Sequence, residues 1–134
     1  MKTALYIGVF FSFVLFVGCN KTLNTHLTAN VSLVGKWFLI ETLADPGDGS
    51  GKWNPADRPN YYFIKFNADN SIKSNTYGRL SGAKQYDATS DTTLNVRYAD
   101  GTTATFYYSI SNGQLTIMGG CIEACGLKFR KEGQ

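Results

Sequence analysis

From Tyr61 to Lys131 the chain alternates apolar and polar residues in short runs, and turn residues break those runs at close, regular intervals. Successive side chains on a strand point to opposite faces, so this period of two predicts half-buried strands and excludes amphipathic helices over the same stretch. Abundant Tyr, Phe, Thr and Val agree with that reading. A first strand is predicted over residues 34–43. A second follows over 61–67, with Tyr62, Ile64 and Phe66 on one face and Lys65 on the other. Ala68-Asp69-Asn70 reads as a hairpin turn. Residues 71–77 pair back, and a loop around Leu80-Ser81-Gly82 leads to a weaker strand over 84–89. The next strands cover 93–98, with Leu94, Val96 and Tyr98 in register, and 103–110, with Phe106, Tyr108 and Ile110 in register. Asp100-Gly101 joins these two, and Asn112-Gly113 is the strongest short hairpin signal. Leu115 and Ile117 carry the inner face onward, and residues 126–131 close the series.

About eight short strands joined by tight turns make an antiparallel meander. Pairing the first strand with the last removes both exposed edges, so an all-β, up-and-down barrel is expected, with a two-sheet sandwich as the alternative.

The chain before this domain has a different character. Residues 4–17 are almost wholly apolar, Lys2 precedes them and Gly18-Cys19 follows. A spanning helix needs roughly twenty apolar residues, so this shorter run has the form of a secretory signal. Phe16-Val17-Gly18-Cys19 resembles a bacterial lipobox, with Phe16 standing where Leu is usual. That resemblance implies cleavage before Cys19 and acylation of its sulfur; the alternative is an ordinary signal, cleaved or not. Two or more acyl chains hold a protein firmly on a bilayer. Residues 20–32 are polar and read as a tether reaching at most about 43 Å. The expected organisation is therefore a signal at 1–18, a lipidated cysteine and tether at 19–32, and one domain at 33–134. Loss of residues 1–18 removes one Lys and no acid, leaving a net charge of +2 with scattered basic residues. Such a surface does not suit nucleic acid.

Three motifs together resemble the small lipocalin-like lipoproteins of Bacteroidetes-type bacteria. Gly35-Lys36-Trp37 opens the first strand as a Gly-x-Trp signature does, Phe66-Asn67-Ala68-Asp69-Asn70 resembles a recurrent strand-turn motif, and Cys121-Ile122-Glu123-Ala124-Cys125 resembles a cysteine pair near the family's end. The resemblance implies that Gly35 and Trp37 close one end of the barrel and that Arg130 packs across the Trp37 ring. Alternation instead turns Arg130 outward, leaving an exposed Arg and an ordinary core Trp as the other reading. The resemblance also makes the insertion at 44–60 a lid over the open end, with Trp53 capping a ligand; the alternative is that Trp53 folds back over core edges.

In an extended strand Cys121 and Cys125 would lie about 13 Å apart, beyond the roughly 7 Å limit for a bridge. A disulfide therefore requires a turn at Ile122-Glu123-Ala124, at the tip of the last hairpin. Free thiols, a metal site and a redox pair are the rivals. The only histidine, His26, lies in the tether, so neither a closed zinc site nor a His-dependent catalytic triad is supported in the domain. The spacing is not Cys-x-x-Cys. The acids sit mainly in turns, and the Asp45–Gly51 segment lacks the alternating acids of a calcium loop. Glu41 and Glu123 are the only acids near strands, so no carboxylate pair for glycoside chemistry is indicated. No catalysis, cofactor or metal is expected.

Short strands and large inward residues predict a packed interior with a shallow aromatic pocket. The candidate ligand-binding residues are Trp53, Tyr62, Phe66, Tyr98, Phe106 and Tyr108. The expected function is a membrane-anchored module for a small amphipathic ligand; the alternative is a packed barrel acting on an envelope protein partner or in a structural role. The expected location is the cell envelope, at the outer membrane on its periplasmic face.

Overall fold

The computed structural model describes residues 33–134, so the signal, Cys19 and His26 lie outside the described residues. Nine strands form one antiparallel sheet that curls into a nearly closed eight-strand barrel with one accessory strand. They are β1 (Gly35–Ala44), β2 (Lys52–Pro55), β3 (Phe63–Phe66), β4 (Ile72–Ser74), β5 (Ala83–Ala88), β6 (Thr93–Tyr98), β7 (Thr103–Ser111), β8 (Gln114–Met118) and β9 (Cys125–Lys131). A 3₁₀ helix, Gly78–Gly82, joins β4 to β5. The expected up-and-down barrel is present, and its first strand pairs with its last from Trp37↔Lys131 to Ala44↔Cys125.

The hairpins follow their turn residues. Asn112 and Gly113 both take positive φ, 51° and 73°, which a two-residue turn matched to the right-handed strand twist demands. Inward positions then alternate along β6, β7 and β8: Leu94 and Val96, Phe106 and Tyr108, and Leu115 and Ile117 are buried. Ile110 keeps its predicted face, opposite Leu115, but is not covered there. It sits where β7 runs past the start of β6, and is 36% exposed.

The insertion at 44–60 contains a strand that the sequence pattern did not reveal. β1 is long enough to hold two partners along one edge: Gly35 to Phe38 pair with β3, and Glu41 to Ala44 pair with β2. A bulge between Leu39 and Glu41 bends β1 where the partners change. The backbone groups at the changeover are still satisfied, since Ala56 N–H donates to Ile40 O and Leu39 N–H donates to Tyr62 O.

The seam between β4 and β5 is the weak point of closure. One bridge, Ser71↔Gln85, links them, because β4 is three residues long, shorter than the predicted 71–77. Tyr86 fastens this seam. Its N–H donates to Asn70 O, its hydroxyl donates to Asn67 O, and its ring meets Phe66 edge-on at 4.9 Å.

Candidate functional site

The two ends of the barrel are built differently. At the end where β1 begins, Trp37 is buried and its Nε1–H donates to Leu33 O at 2.8 Å, while Leu33 itself is fully buried. The cation across this ring is Lys131, whose Nζ lies 5.1 Å from the Trp37 ring centre. Arg130 does not take that place. It alternates with the buried Phe129, so it faces out and donates to Asn60 Oδ1 and to the Gln134 backbone oxygen. Gly35 makes room for the lysine: its φ is +132°, and a Cβ there would lie 3.0 Å from Lys131 Cε. Gly35 and Trp37 thus close this end, in partnership with the next residue along from the one expected.

The middle of the barrel is full. Leu39, Ile64, Phe66, Leu94, Val96, Phe106, Leu115, Ile117 and Phe129 are almost wholly inaccessible. Of the aromatic candidates, Phe66, Phe106 and Tyr108 belong to this filling, and the Tyr108 hydroxyl donates to Ser90 O. Tyr62 packs at the edge of the core, meets Tyr61 edge-on and lies against Tyr77 at a tilt. Tyr98 ring also packs against the core, and its hydroxyl is buried without a hydrogen-bond partner. Burial holds the Tyr98 phenol above its ordinary pKa, partly offset by the charge of Arg79.

An apolar pocket of about 220 Å³ opens at the other end, between the 3₁₀ helix and the β8–β9 loop. Leu80, Phe106, Ile117 and Leu127 supply its apolar lining, and Tyr77 and Arg79 its polar rim. One wall is the Cys121–Cys125 disulfide, whose Cα atoms are 6.1 Å apart across the turn at residues 122–124. The bridge joins the expected partners at the tip of the last hairpin. Gly120 lies so close to the pocket floor that a Cβ there would meet Phe106 Cε1 at 2.8 Å and Arg79 Cδ at 3.4 Å. Only Phe106 of the six aromatic candidates lines this pocket.

Trp53 is elsewhere. It pairs with Leu43 in β2, and its ring covers Gly126, where a Cβ would meet Trp53 Cη2 at 2.8 Å and Met118 Sδ at 2.5 Å. Lys128 Nζ sits 4.5 Å from the Trp53 ring centre and pairs with the Glu41 carboxylate. Lys128 alternates with the buried Phe129, so Trp53 seals the outer face of β1 and β9 rather than capping the mouth. The pairing of β2 with β1 fixes this, and it is the reading in which Trp53 folds back on the barrel.

The rest of the insertion is organised by Asp45. Its carboxylate accepts the N–H groups of Gly47, Gly49 and Gly51, which hold its pKa below the ordinary 3.8. Those bonds explain the acid without a cation. Among the described residues no group of three or more His, Cys, Asp or Glu is placed to hold a metal.

Two residues at the rim carry no signal in the sequence pattern. Tyr77 donates its hydroxyl to the Asp57 carboxylate, and lost hydration together with Asp57 and Tyr62 keeps it protonated well above the usual phenol range. Arg79 is exposed and no carboxylate pairs with it among the described residues. Only their position on the turn between β4 and β5 brings them to the mouth. The chain matches no family model, no curated protein and no solved structure.

Proposed function

We propose that this chain is a membrane-anchored, lipocalin-like binding module that holds a small amphipathic molecule and catalyses nothing. The observation that carries this reading is the pocket at the disulfide end: apolar inside, polar at the rim, and set in the open mouth of the barrel. Its volume of about 220 Å³ is below the roughly 300–1,000 Å³ of drug-sized sites, so the ligand is small or inserts only part of itself. The anchor is Cys19, from the lipobox-like Phe16-Val17-Gly18-Cys19, and the location is the periplasmic face of the outer membrane. Leu33 packs at the Trp37 end, opposite the pocket, so a tether entering there leaves the mouth facing away from the membrane.

Native mass spectrometry of the full chain released from membranes tests the binding reading. A reproducible excess mass that disappears on denaturation, and is lost when Leu127→Trp fills the pocket, is the expected result. A second reading, a packed barrel that docks an envelope protein, is favoured by the protruding Ile122 at the tip of the disulfide loop and by exposed Tyr107 on β7. A bare polypeptide mass with a stoichiometric protein partner supports that reading instead. Cys19→Ala tests the anchor separately, with the protein expected to leave the membrane fraction.

A further inference from the structure

The pocket has a chemical asymmetry that narrows what it can hold. Arg79 is the one charged side chain among its lining residues, and no acid lines it. The Arg79 stem lies beside Gly120, where a Cβ would meet its Cδ at 3.4 Å, while the residue is exposed and no carboxylate pairs with it among the described residues. Asp57, the acid bonded to the rim, accepts the Tyr77 hydroxyl. Behind the rim the surface is Leu80, Phe106, Ile117 and Leu127. An unpaired guanidinium presents a planar fork of donors that fits an oxyanion, and such charge-assisted bonds are the strong ones.

We propose that the ligand is a short amphiphile with an anionic head held by Arg79 and an unbranched apolar tail seated against Phe106, Ile117 and Leu127. This rests on the binding-module reading and adds the sign of the head and the length of the tail. A pocket of about 220 Å³, below the roughly 300–1,000 Å³ of drug-sized sites, admits a short tail and not a long one. A C8 carboxylate therefore fits, whereas a long fatty acyl chain leaves most of its length in solvent. The packed layer of Leu39, Phe66 and Phe129 bars deeper entry.

The test uses the full chain in nanodiscs with a photoreactive diazirine analogue of octanoic acid and the matching alcohol, each at a concentration below saturation. The expected result is pocket labelling, on peptides carrying Leu80, Phe106 or Leu127, that is about tenfold stronger for the acid. Arg79→Gln removes most of the acid's advantage over the alcohol, and Arg79→Lys restores part of that difference. Equal labelling of the pocket by acid and alcohol overturns the anionic head while leaving the binding module in place. No pocket labelling by either, from a chain whose disulfide and tryptophan emission show it folded, overturns both. Arg79 is exposed on a short turn and is not among the buried core residues.

Discussion

At the scale of single residues, the closed end of the barrel depends on what Gly35 lacks. Any side chain there must adopt φ of +132° and push against the Lys131 stem, so Gly35→Ala is expected to cost about 1–3 kcal/mol, read from the urea midpoint. The sequence carried the Gly35-Lys36-Trp37 signature openly, but not which cation would cross the ring. Alternation counted from Phe129 selects Lys131, and that parity is set by the register of β9 against β1. The turn acids make a second prediction. Asp45, Asp48, Asp69 and Asp100 accept hydrogen bonds in the fold from backbone N–H groups, and Asp69 and Asp100 from hydroxyls as well, and all have lowered pKa values. The unfolded chain therefore binds more protons near the ordinary 3.8. Their contribution is present above that pH and is lost as pH falls through the lower folded values. Urea midpoints are expected to be level from pH 7 to 5 and to drop below about pH 4. Asp45→Asn should make that drop shallower.

At the scale of elements, the barrel has one strong closure and one weak one. β1 and β9 pair along nearly their whole length, whereas β4 meets β5 at a single bridge and relies on Tyr86. Tyr86→Phe removes the hydrogen bond to Asn67 O and is expected to cost about 1 kcal/mol. Tyr86→Ala also removes the ring from Phe66 and is expected to cost about 3 kcal/mol or more by chemical denaturation. The β8–β9 loop is held by its own clasp. Reducing Cys121–Cys125 frees a five-residue loop, and the chain-entropy model assigns such a loop about 2 kcal/mol. Denaturation with and without a thiol reductant measures that difference. The requirement for a turn between these cysteines was legible from spacing alone. β2 was not legible, since Lys52-Trp53-Asn54-Pro55 holds too few residues to show a period and becomes a strand only because the end of β1 offers a free edge.

At the scale of the whole molecule, uneven closure predicts uneven opening. Amide hydrogens of β4, the 3₁₀ helix and the start of β5 are expected to exchange first, and those of β1, β8 and β9 last, in native-state exchange read by mass spectrometry or NMR. Trp53 gives an independent check on the site. Trp53→Ala uncovers Gly126 and the Lys128–Glu41 pair on the outer face, so it should lower stability while leaving probe binding at the mouth unchanged. The reverse result would return Trp53 to the pocket. What the sequence by itself determined here is the meander, the turns at Asp69-Asn70, Asp100-Gly101 and Asn112-Gly113, the inward alternation of most strands and the need for a turn between the cysteines. All of these are set by neighbours a few residues apart, through side-chain parity and local φ preferences. Only the tertiary structure decided that Lys131 crosses Trp37, that Trp53 lies outside, and that Arg79 stands at a mouth shared with Phe106 and Leu127. Those contacts join residues far apart in the chain, and they depend on barrel closure, on the bulge in β1 and on which edge stayed free for β2.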